Sequence, residues 1–364
     1  MGNLHLNNMH DYILNIIKIH GFIPLDEFIS LALCHPRRGY YAKQNPILRD
    51  FITAPEISNA FGIIFASYII DKILPISNDA REVNFVEFGG GTGKFAFDIL
   101  NFIISLEKIN NHKIKKLIPK IKFNSIEFSE HLTEMQKSTI KSITMEKSFF
   151  KNISEFKESK KNIINNKENI FVFFSNEFFD SLPIKQFIKN EDDFCEIVVT
   201  TKNNSSNDFI YEQIKINSDN IELIPKYFQN NKNDFFEIPL TTIEILNNIV
   251  DIMNNSRSIF LTADYGFMEN PNTSTLQGIY EGRKIKDILK NVGNADITHL
   301  VNFPLFQSLF AKNNIRSEIF KQGVFLVEHG IKSLITPENL IGIERLIAPE
   351  KMGDLFKVLI AKSF

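Results

Sequence analysis

Glu87-Phe88-Gly89-Gly90-Gly91-Thr92-Gly93 is the stretch that decides the fold. A short apolar run, Val83 to Phe88, leads into it, and a helical stripe of Phe95, Ile99, Phe102 and Ile103 leaves it. Strand, glycine turn and helix together make a ligand-binding turn, because glycine permits positive φ and lets a ligand approach the backbone. Two familiar patterns do not fit. A dinucleotide fingerprint starting at Gly89 requires glycine where Lys94 stands. A phosphate-binding loop ending in Gly93-Lys94 requires glycine at Phe88 and Ser or Thr at Phe95. What is left is an acid followed by alternating glycines, acid-x-G-x-G-x-G.

Outward from this turn, the sequence alternates strands with helices. Phe123 to Phe128 reads as a second strand, leading into a helix around Leu132, Met135 and Ile140. A third strand is placed near Ile143 to Met145. Ile170 to Phe174, almost wholly apolar, is the fourth, as expected of a strand covered on both faces. Ile259 to Ala263 is the fifth, and Lys357 to Ala361 the last. The alternation indicates a mostly parallel α/β sheet. Ahead of it, Ile13, Ile16, Ile17 and Phe22 mark a helix broken by Gly21 and Pro24, and a second helix is expected from Pro55 to about Ile73. Residues 159–169 are a polar tract expected to be a solvated loop. Between the fourth and fifth strands, strand-like pieces at Glu196 to Thr200 and Phe209 to Ile216 suggest an inserted α+β subdomain. The expected division is an N-terminal helical extension and substrate-side lid (1–80), a first part of the core (81–188), the insertion (189–250) and a second part of the core (251–364).

The pattern acid-x-G-x-G-x-G resembles the cofactor loop of Rossmann-like methyltransferases, whose ligand carries no phosphate. On that resemblance Gly89, Gly91 and Gly93 pass close to S-adenosyl-L-methionine. Glu87 holds the loop or the cofactor's ammonium. Glu127, the acid at the next strand end, suits two adjacent ribose hydroxyls, since a carboxylate can accept both bonds. After the fourth strand come Asn176, Glu177 and Asp180, at the edge where open α/β sheets bind ligands. Glu177 and Asn176 are expected to face the transferred methyl group. Asp180 either joins them or caps the turn before Leu182-Pro183. Glu56 is a second carboxylate candidate or an acid favoured by a helix N-terminus. Asp264-Tyr265-Gly266 lines the same cleft or forms a turn. His299 is a base or a structural histidine.

Taken in order, these segments are similar to the MidA family, which includes the mitochondrial complex I assembly methyltransferase and bacterial relatives. The resemblance rests on Gly39-Tyr40-Tyr41, Asp50 to Ser58 with Phe61-Gly62, Glu87 to Gly93, and Glu127-Phe128-Ser129 with Leu132 and Gln136. It continues in Asn176-Glu177 with Asp180, Asp264-Tyr265-Gly266, Asp296 to His299, Gln322-Gly323 and Met352-Gly353. Arg49, Ile63 and Ser274 depart from the family pattern. The resemblance implies S-adenosyl-L-methionine as cofactor and a methyltransferase core with an N-terminal extension and an insertion. From the mitochondrial member it implies arginine methylation on the quinone-site subunit of complex I. Tyr41, Asp50, Phe51, Thr53, Asp264, Tyr265 and His299 then stand on the substrate side. Glu177 and Glu56 would fix a guanidinium, and Asp180 or His299 would take its proton. Two other functions stay open: methylation of a small molecule, and a cofactor-binding assembly chaperone without turnover.

Composition narrows the partners. The chain has 364 residues with 41 Lys+Arg against 43 Asp+Glu, a formal net charge of -2. That balance lacks the basic excess of a nucleic-acid binder. The two cysteines, Cys34 and Cys195, lie far apart, and no metal site is expected. Apolar runs such as Phe171 to Phe174 fall short of the ~20 residues of a membrane span, so no membrane insertion is expected. The first arginine is Arg37, and no Arg-rich transit peptide is seen. The expected compartment is a bacterial cytoplasm rather than a mitochondrial matrix. The expected partner is a protein substrate, with a homodimer also allowed.

Overall fold

The computed structural model describes residues 8–42, 52–109, 111–190, 193–202, 207–216 and 234–364. The chain packs as two compact units, one drawn from 1–50, 181–244 and 267–300, the other from 51–180, 245–266 and 301–364. The sequence-based division runs 1–80, 81–188, 189–250 and 251–364; the structural breaks fall after residues 50, 180, 244, 266 and 300.

The second unit is built on one sheet. Its strands are β1 (Val83–Phe88), β2 (Ile121–Ile126), β3 (Glu146–Phe150), β4 (Ile170–Asn176), β5 (Arg257–Phe267), β6 (Arg316–Lys321) and β7 (Phe356–Lys362). Their order across the sheet is β6-β7-β5-β4-β1-β2-β3, with the two-residue strand Val301–Asn302 beside β5. Strands β1 to β5 pair in parallel, while β7 runs antiparallel to β5 and to β6. This is the mostly parallel sheet that the alternation of strands and helices implies. The chain moves from β1 outward to β2 and β3, then returns to β4 on the other side of β1. The strand order therefore reverses between β1 and β4, and a crevice opens there at the carboxyl ends. Register fixes which residues meet at that edge: Phe88 lies opposite both Ile126 and Ser175, and Ala263 opposite Asn176.

The helices of this unit are α1 (Ala54–Ile57), α2 (Asn59–Ile73), α3 (Lys94–Ser105), α4 (Glu130–Thr139) and α5 (Ile153–Ile164), followed by further helices toward the C-terminus. Helix α3 buries Phe95, Ala96, Ile99, Leu100 and Ile103 along one side, as its stripe predicts. The helix expected from Pro55 to Ile73 is in fact two. Ser58 is extended (φ -159°, ψ 134°), and its hydroxyl accepts the Ala60 N–H at 3.2 Å. A serine that caps a new helix interrupts the old one.

Three further differences have physical causes. The third strand lies at Glu146–Phe150, not at Ile143 to Met145. It is an edge strand and only partly covered, so polar residues occupy it, while Ile143 is buried in the turn before it. Residues 159–164 of the polar tract belong to α5 rather than to a loop, and that helix is anchored by buried Ile153, Phe156 and Ile164 alone. The stretch Asn59–Ile76, 18 residues with mean hydropathy 1.4, is long and apolar enough to cross a membrane, which the apolar runs of the sequence had not indicated. Its apolar residues are in the core, with Phe61, Ile64, Phe65, Ile69 and Ile73 at most 3% exposed. A helix apolar on most sides is what burial against a sheet and other helices requires.

The first unit holds the helices Met9–His20 and Leu25–Cys34 together with the inserted strands. Asp193–Thr201 pairs antiparallel with Lys185–Asn190, Phe209–Lys215 and Ile23–Pro24. Asn8 caps the first helix by accepting the Asp11 N–H at 2.8 Å. A second small sheet joins Gln277–Tyr280 antiparallel to Arg283–Ile285 and to Asp296–Thr298.

Candidate active site

The glycine turn spans the gap between β1 and α3. Gly89, Gly91 and Gly93 have φ of 60°, 53° and 83°, a backbone region that side chains disfavour. At Gly93 space is also denied: a Cβ there would lie 2.9 Å from the Cα of Gln136 on α4. At Gly89 a Cβ would meet the ring of Phe178 at 2.5 Å. The turn is closed by the Gly93 N–H, which donates to the Gly90 carbonyl at 2.8 Å.

Two carboxylates flank this turn, both almost fully buried. Glu87 is 1% exposed, and its Oε2 has no hydrogen-bond partner among the described residues. Burial pushes the Glu87 carboxyl up to about 8, the nearby Glu127 charge adds to the rise, and the Ala96 N–H opposes it. Glu127 follows the end of β2. Its Oε1 accepts the Ser129 N–H at 3.0 Å and its Oε2 the Gln136 amide at 3.2 Å. Burial pushes its carboxyl up to about 7 against those bonds and others from the Gly91 and Phe128 backbone. A site lined by acceptors whose charge is disfavoured suits a ligand that brings positive charge and hydroxyl donors. It would repel a phosphate. S-adenosyl-L-methionine, with an ammonium, a sulfonium and a ribose diol, fits this donor set.

The loop after β4 is the second element. Glu177 has φ 49°, unusual for a residue with a side chain. Strain of this kind persists where its surroundings hold it, and it clusters at functional sites. Here the Glu177 N–H donates to the Ala263 carbonyl at 2.9 Å. Its Oε1 accepts the Ala54 N–H at 3.2 Å and the Asn176 amide at 3.0 Å. The other side of that amide, Asn176 Oδ1, is buried with no partner among the described residues. Asp264, at the end of β5, is fully buried. Its Oδ2 accepts the N–H groups of Phe178, Phe179 and Asp180 at 3.2, 3.0 and 3.3 Å, and its Oδ1 that of Tyr265 at 2.9 Å. Its carboxyl is pushed well above the usual range, first by burial, then by the charges of Asp180 and Glu177. Asp264 thus holds the loop from beneath and is fully enclosed, so it does not reach into the crevice.

The structure brings most of the expected residues of this unit together. Glu56 accepts a hydrogen bond from the Thr92 hydroxyl in the glycine turn, which joins α1 to the cofactor loop. Thr53 precedes α1 and lends its carbonyl to the Glu56 N–H at 3.0 Å. Tyr265 packs its ring against Phe356 at 5.3 Å. Asp180 is 4% exposed. Tyr41 and His299 belong to the first unit. There the Tyr41 hydroxyl donates to Asp296 at 3.1 Å, and His299, 4% exposed, bonds the Leu300 carbonyl through Nδ1 at 3.1 Å. Its Nε2 has no partner among the described residues. Asp50 and Phe51 lie outside the described residues. Among the described residues no cluster of His, Cys, Asp or Glu is placed to hold a metal. Sequence reasoning assigned no role to Thr92, Ser125 or Gln136. For Gln136 the signals were its place in the family motif and a glutamine at an apolar position of α4, one turn after Leu132 and one before Ile140.

Comparison with known proteins agrees with this geometry. A family model described as "Putative S-adenosyl-L-methionine-dependent methyltransferase" matches residues 64–321. The mitochondrial protein arginine methyltransferase NDUFAF7 of Xenopus laevis is 24% identical over 384 residues, covering 96% of this chain and 83% of its own length. The Caenorhabditis elegans homolog is 26% identical over 344 residues, covering 90% and 77%. The fold is similar to that of a Burkholderia thailandensis protein crystallised with S-adenosyl-homocysteine. The TM-score is 0.77 at 19% identity, over 97% of this chain and 91% of that one.

Proposed function

The chain belongs to this family of S-adenosyl-L-methionine-dependent methyltransferases, the MidA family its motifs resemble, and from that premise we propose that it N-methylates arginine on a protein partner. The observation that carries the proposal is Glu177, held at φ 49° after β4 with its Oε1 on the Ala54 N–H and the Asn176 amide. A guanidinium is the cation that planar carboxylates hold best, by paired N–H donors. The name of the relatives points the same way.

The cofactor supplies an electrophilic methyl carbon. Gly89, Gly91 and Gly93 let the backbone approach it, Glu87 faces its cationic end and Glu127 takes its ribose hydroxyls. Glu177, aimed by Asn176 and the Ala54 N–H, fixes the arginine. Glu56, tied to Thr92, sets α1 against the cofactor loop and shares in holding the guanidinium. Arginine is a poor nucleophile while its charge is delocalised, with a pKa above ~12. Carboxylates that fix the other nitrogens localise a lone pair on the one that attacks. The proton it loses goes to Asp180. Alignment of this kind can supply up to ~7–11 kcal/mol of a barrier. Tyr41, Thr53 and Tyr265, with Asp50 and Phe51, are assigned to the substrate side. Asp264 acts through the backbone it holds. The proposed target is the quinone-site subunit of complex I, after the resemblance to the mitochondrial member.

The test is Glu177→Gln. The variant should bind S-adenosylhomocysteine like wild type and transfer methyl at least ~100-fold more slowly, the scale of a lost transition-state contact. Full activity would remove Glu177 from the mechanism. Labelled cofactor in a lysate separates the products. Label on a polypeptide supports the proposal, label on a small molecule or no transfer opposes it. Mass spectrometry of arginine methylation in the complex I subunit, with and without this gene, tests the target.

A further inference from the structure

Gln136 is a polar side chain where an apolar one would pack. It lies on the inner face of α4 and is 1% exposed. All its polar capacity is directed at the cofactor loop and its surroundings. Its Oε1 accepts the Ser125 hydroxyl at 2.5 Å. Its Nε2 donates to Glu127 Oε2 at 3.2 Å and to the Gly91 carbonyl at 3.4 Å. Its own backbone fills the space beside Gly93, and its amide carbon lies 3.0 Å from where a Gly90 Cβ would be. One amide thus joins β2, the acid after β2 and two points of the glycine turn.

The orientation of that amide is not arbitrary. A hydroxyl can donate or accept, but an ionised carboxylate only accepts. With Glu127 charged, Nε2 must face it, so Oε1 must face Ser125, as observed. The reverse orientation would set two acceptors against each other. We infer that Gln136 is a positioning residue for cofactor binding: its amide locks the glycine turn to Glu127 and so aims that carboxylate. The inference rests on the reading of Glu127 as the cofactor's acid. The titratable groups on the elements around Gln136 are Glu87 on β1, Glu127 itself, the Lys94–Asp98 pair on α3 and Lys122 on β2, which pairs with Glu146. On its own helix Lys137 pairs with Glu134 at the surface.

The experiment is calorimetric titration of S-adenosylhomocysteine between pH 6 and pH 9, on the full chain. Gln136→Leu should bind roughly ten- to a hundred-fold more weakly at pH 8 to 9, where Glu127 is ionised, the span of one lost charge-assisted hydrogen bond. Gln136→Glu carries a proton at low pH and can then donate to Glu127 while accepting from Ser125. Its affinity should approach wild type near pH 6 and fall away as pH rises. A merely structural role predicts no such recovery. Wild-type affinity in Gln136→Leu overturns the inference, as does a Gln136→Glu protein whose deficit is the same at all pH values. If Gln136→Leu does not fold, the pH trend of Gln136→Glu decides alone. Glu127→Gln separates the two levels. If it binds as tightly as wild type, the reading of Glu127 falls and the inference with it. If it binds weakly while Gln136→Leu does not, only the inference falls.

Discussion

Replacing Glu87 by glutamine should stabilise the protein, and increasingly so as pH rises from acid to alkaline. The Glu87 carboxyl stands at about 8 in the folded chain against an ordinary 4.5, because it is buried and lies beside Glu127. The folded state therefore binds this proton more tightly than the unfolded state. A raised folded value gives stability that is fully present below the unfolded value and lost as pH rises through the folded one. The window is pH 4.5 to 8. Each pH unit inside it costs about 1.4 kcal/mol, so the whole window costs about 5 kcal/mol and pH 7 about 3 kcal/mol. Glutamine has nearly the same shape and does not titrate. The stability of Glu87→Gln minus that of wild type should be under about 1 kcal/mol at pH 5 and rise to about 5 kcal/mol at pH 9. The same substitution removes the charge that Glu127 faces, which acts in the same direction. Urea denaturation at pH 5, 7 and 9, extrapolated to zero denaturant, measures the difference. A gap of equal size at pH 5 and pH 9 would refute the argument, since it would mean that Glu87 is not held neutral by its surroundings. The gain should come with weaker S-adenosylhomocysteine binding, because a carboxylate kept at a cost in stability is one that function has retained.

Cofactor uptake at pH 7 should release a proton, because a cationic ligand favours the charged form of Glu87; titrations in buffers of different ionisation enthalpy will show it as a difference in apparent heat. Asp264→Ala removes the acceptor of four backbone N–H groups. It should cost about 4 kcal/mol or more and speed hydrogen exchange at residues 178–180. Asp264→Asn, which keeps one oxygen, should cost less. Gly93→Ala places a Cβ at φ 83° and 2.9 Å from Gln136 Cα. It should lower stability by about 1–2 kcal/mol from backbone strain alone, and weaken S-adenosylhomocysteine binding in the same titration. Thr92→Val breaks the hydroxyl bond to Glu56. It should reduce turnover while changing cofactor affinity by less than about threefold, less than 1 kcal/mol.

How much of this was legible in the sequence follows from how local each requirement is. The turn after β1 was legible because its backbone demands fall on consecutive residues, and only glycine meets them at Gly93. Strand β4 was legible because burial on both faces leaves no room for polar residues from Ile170 to Phe174. The edge of the sheet was harder. Strand β3 and helix α5 cover the core on one side only, so three buried residues suffice for α5 and its lysines and asparagines read as loop. Other roles were invisible because they depend on pairing across the fold. Glu87 lies opposite Ser125 in the register of β1 and β2. That pairing, not the spacing along the chain, brings Gln136 against the glycine turn. Asp264 shows the same limit more sharply. As an acid at a strand end it reads as a ligand contact, and its real partners are four N–H groups, three of them more than eighty residues away. An acid that binds backbone and an acid that binds ligand differ only in what the tertiary structure sets before them. Asp264, beneath the crevice, has its acceptor capacity filled from within. Glu87 keeps an oxygen that no described residue satisfies, and a cationic ligand would find its acceptor there.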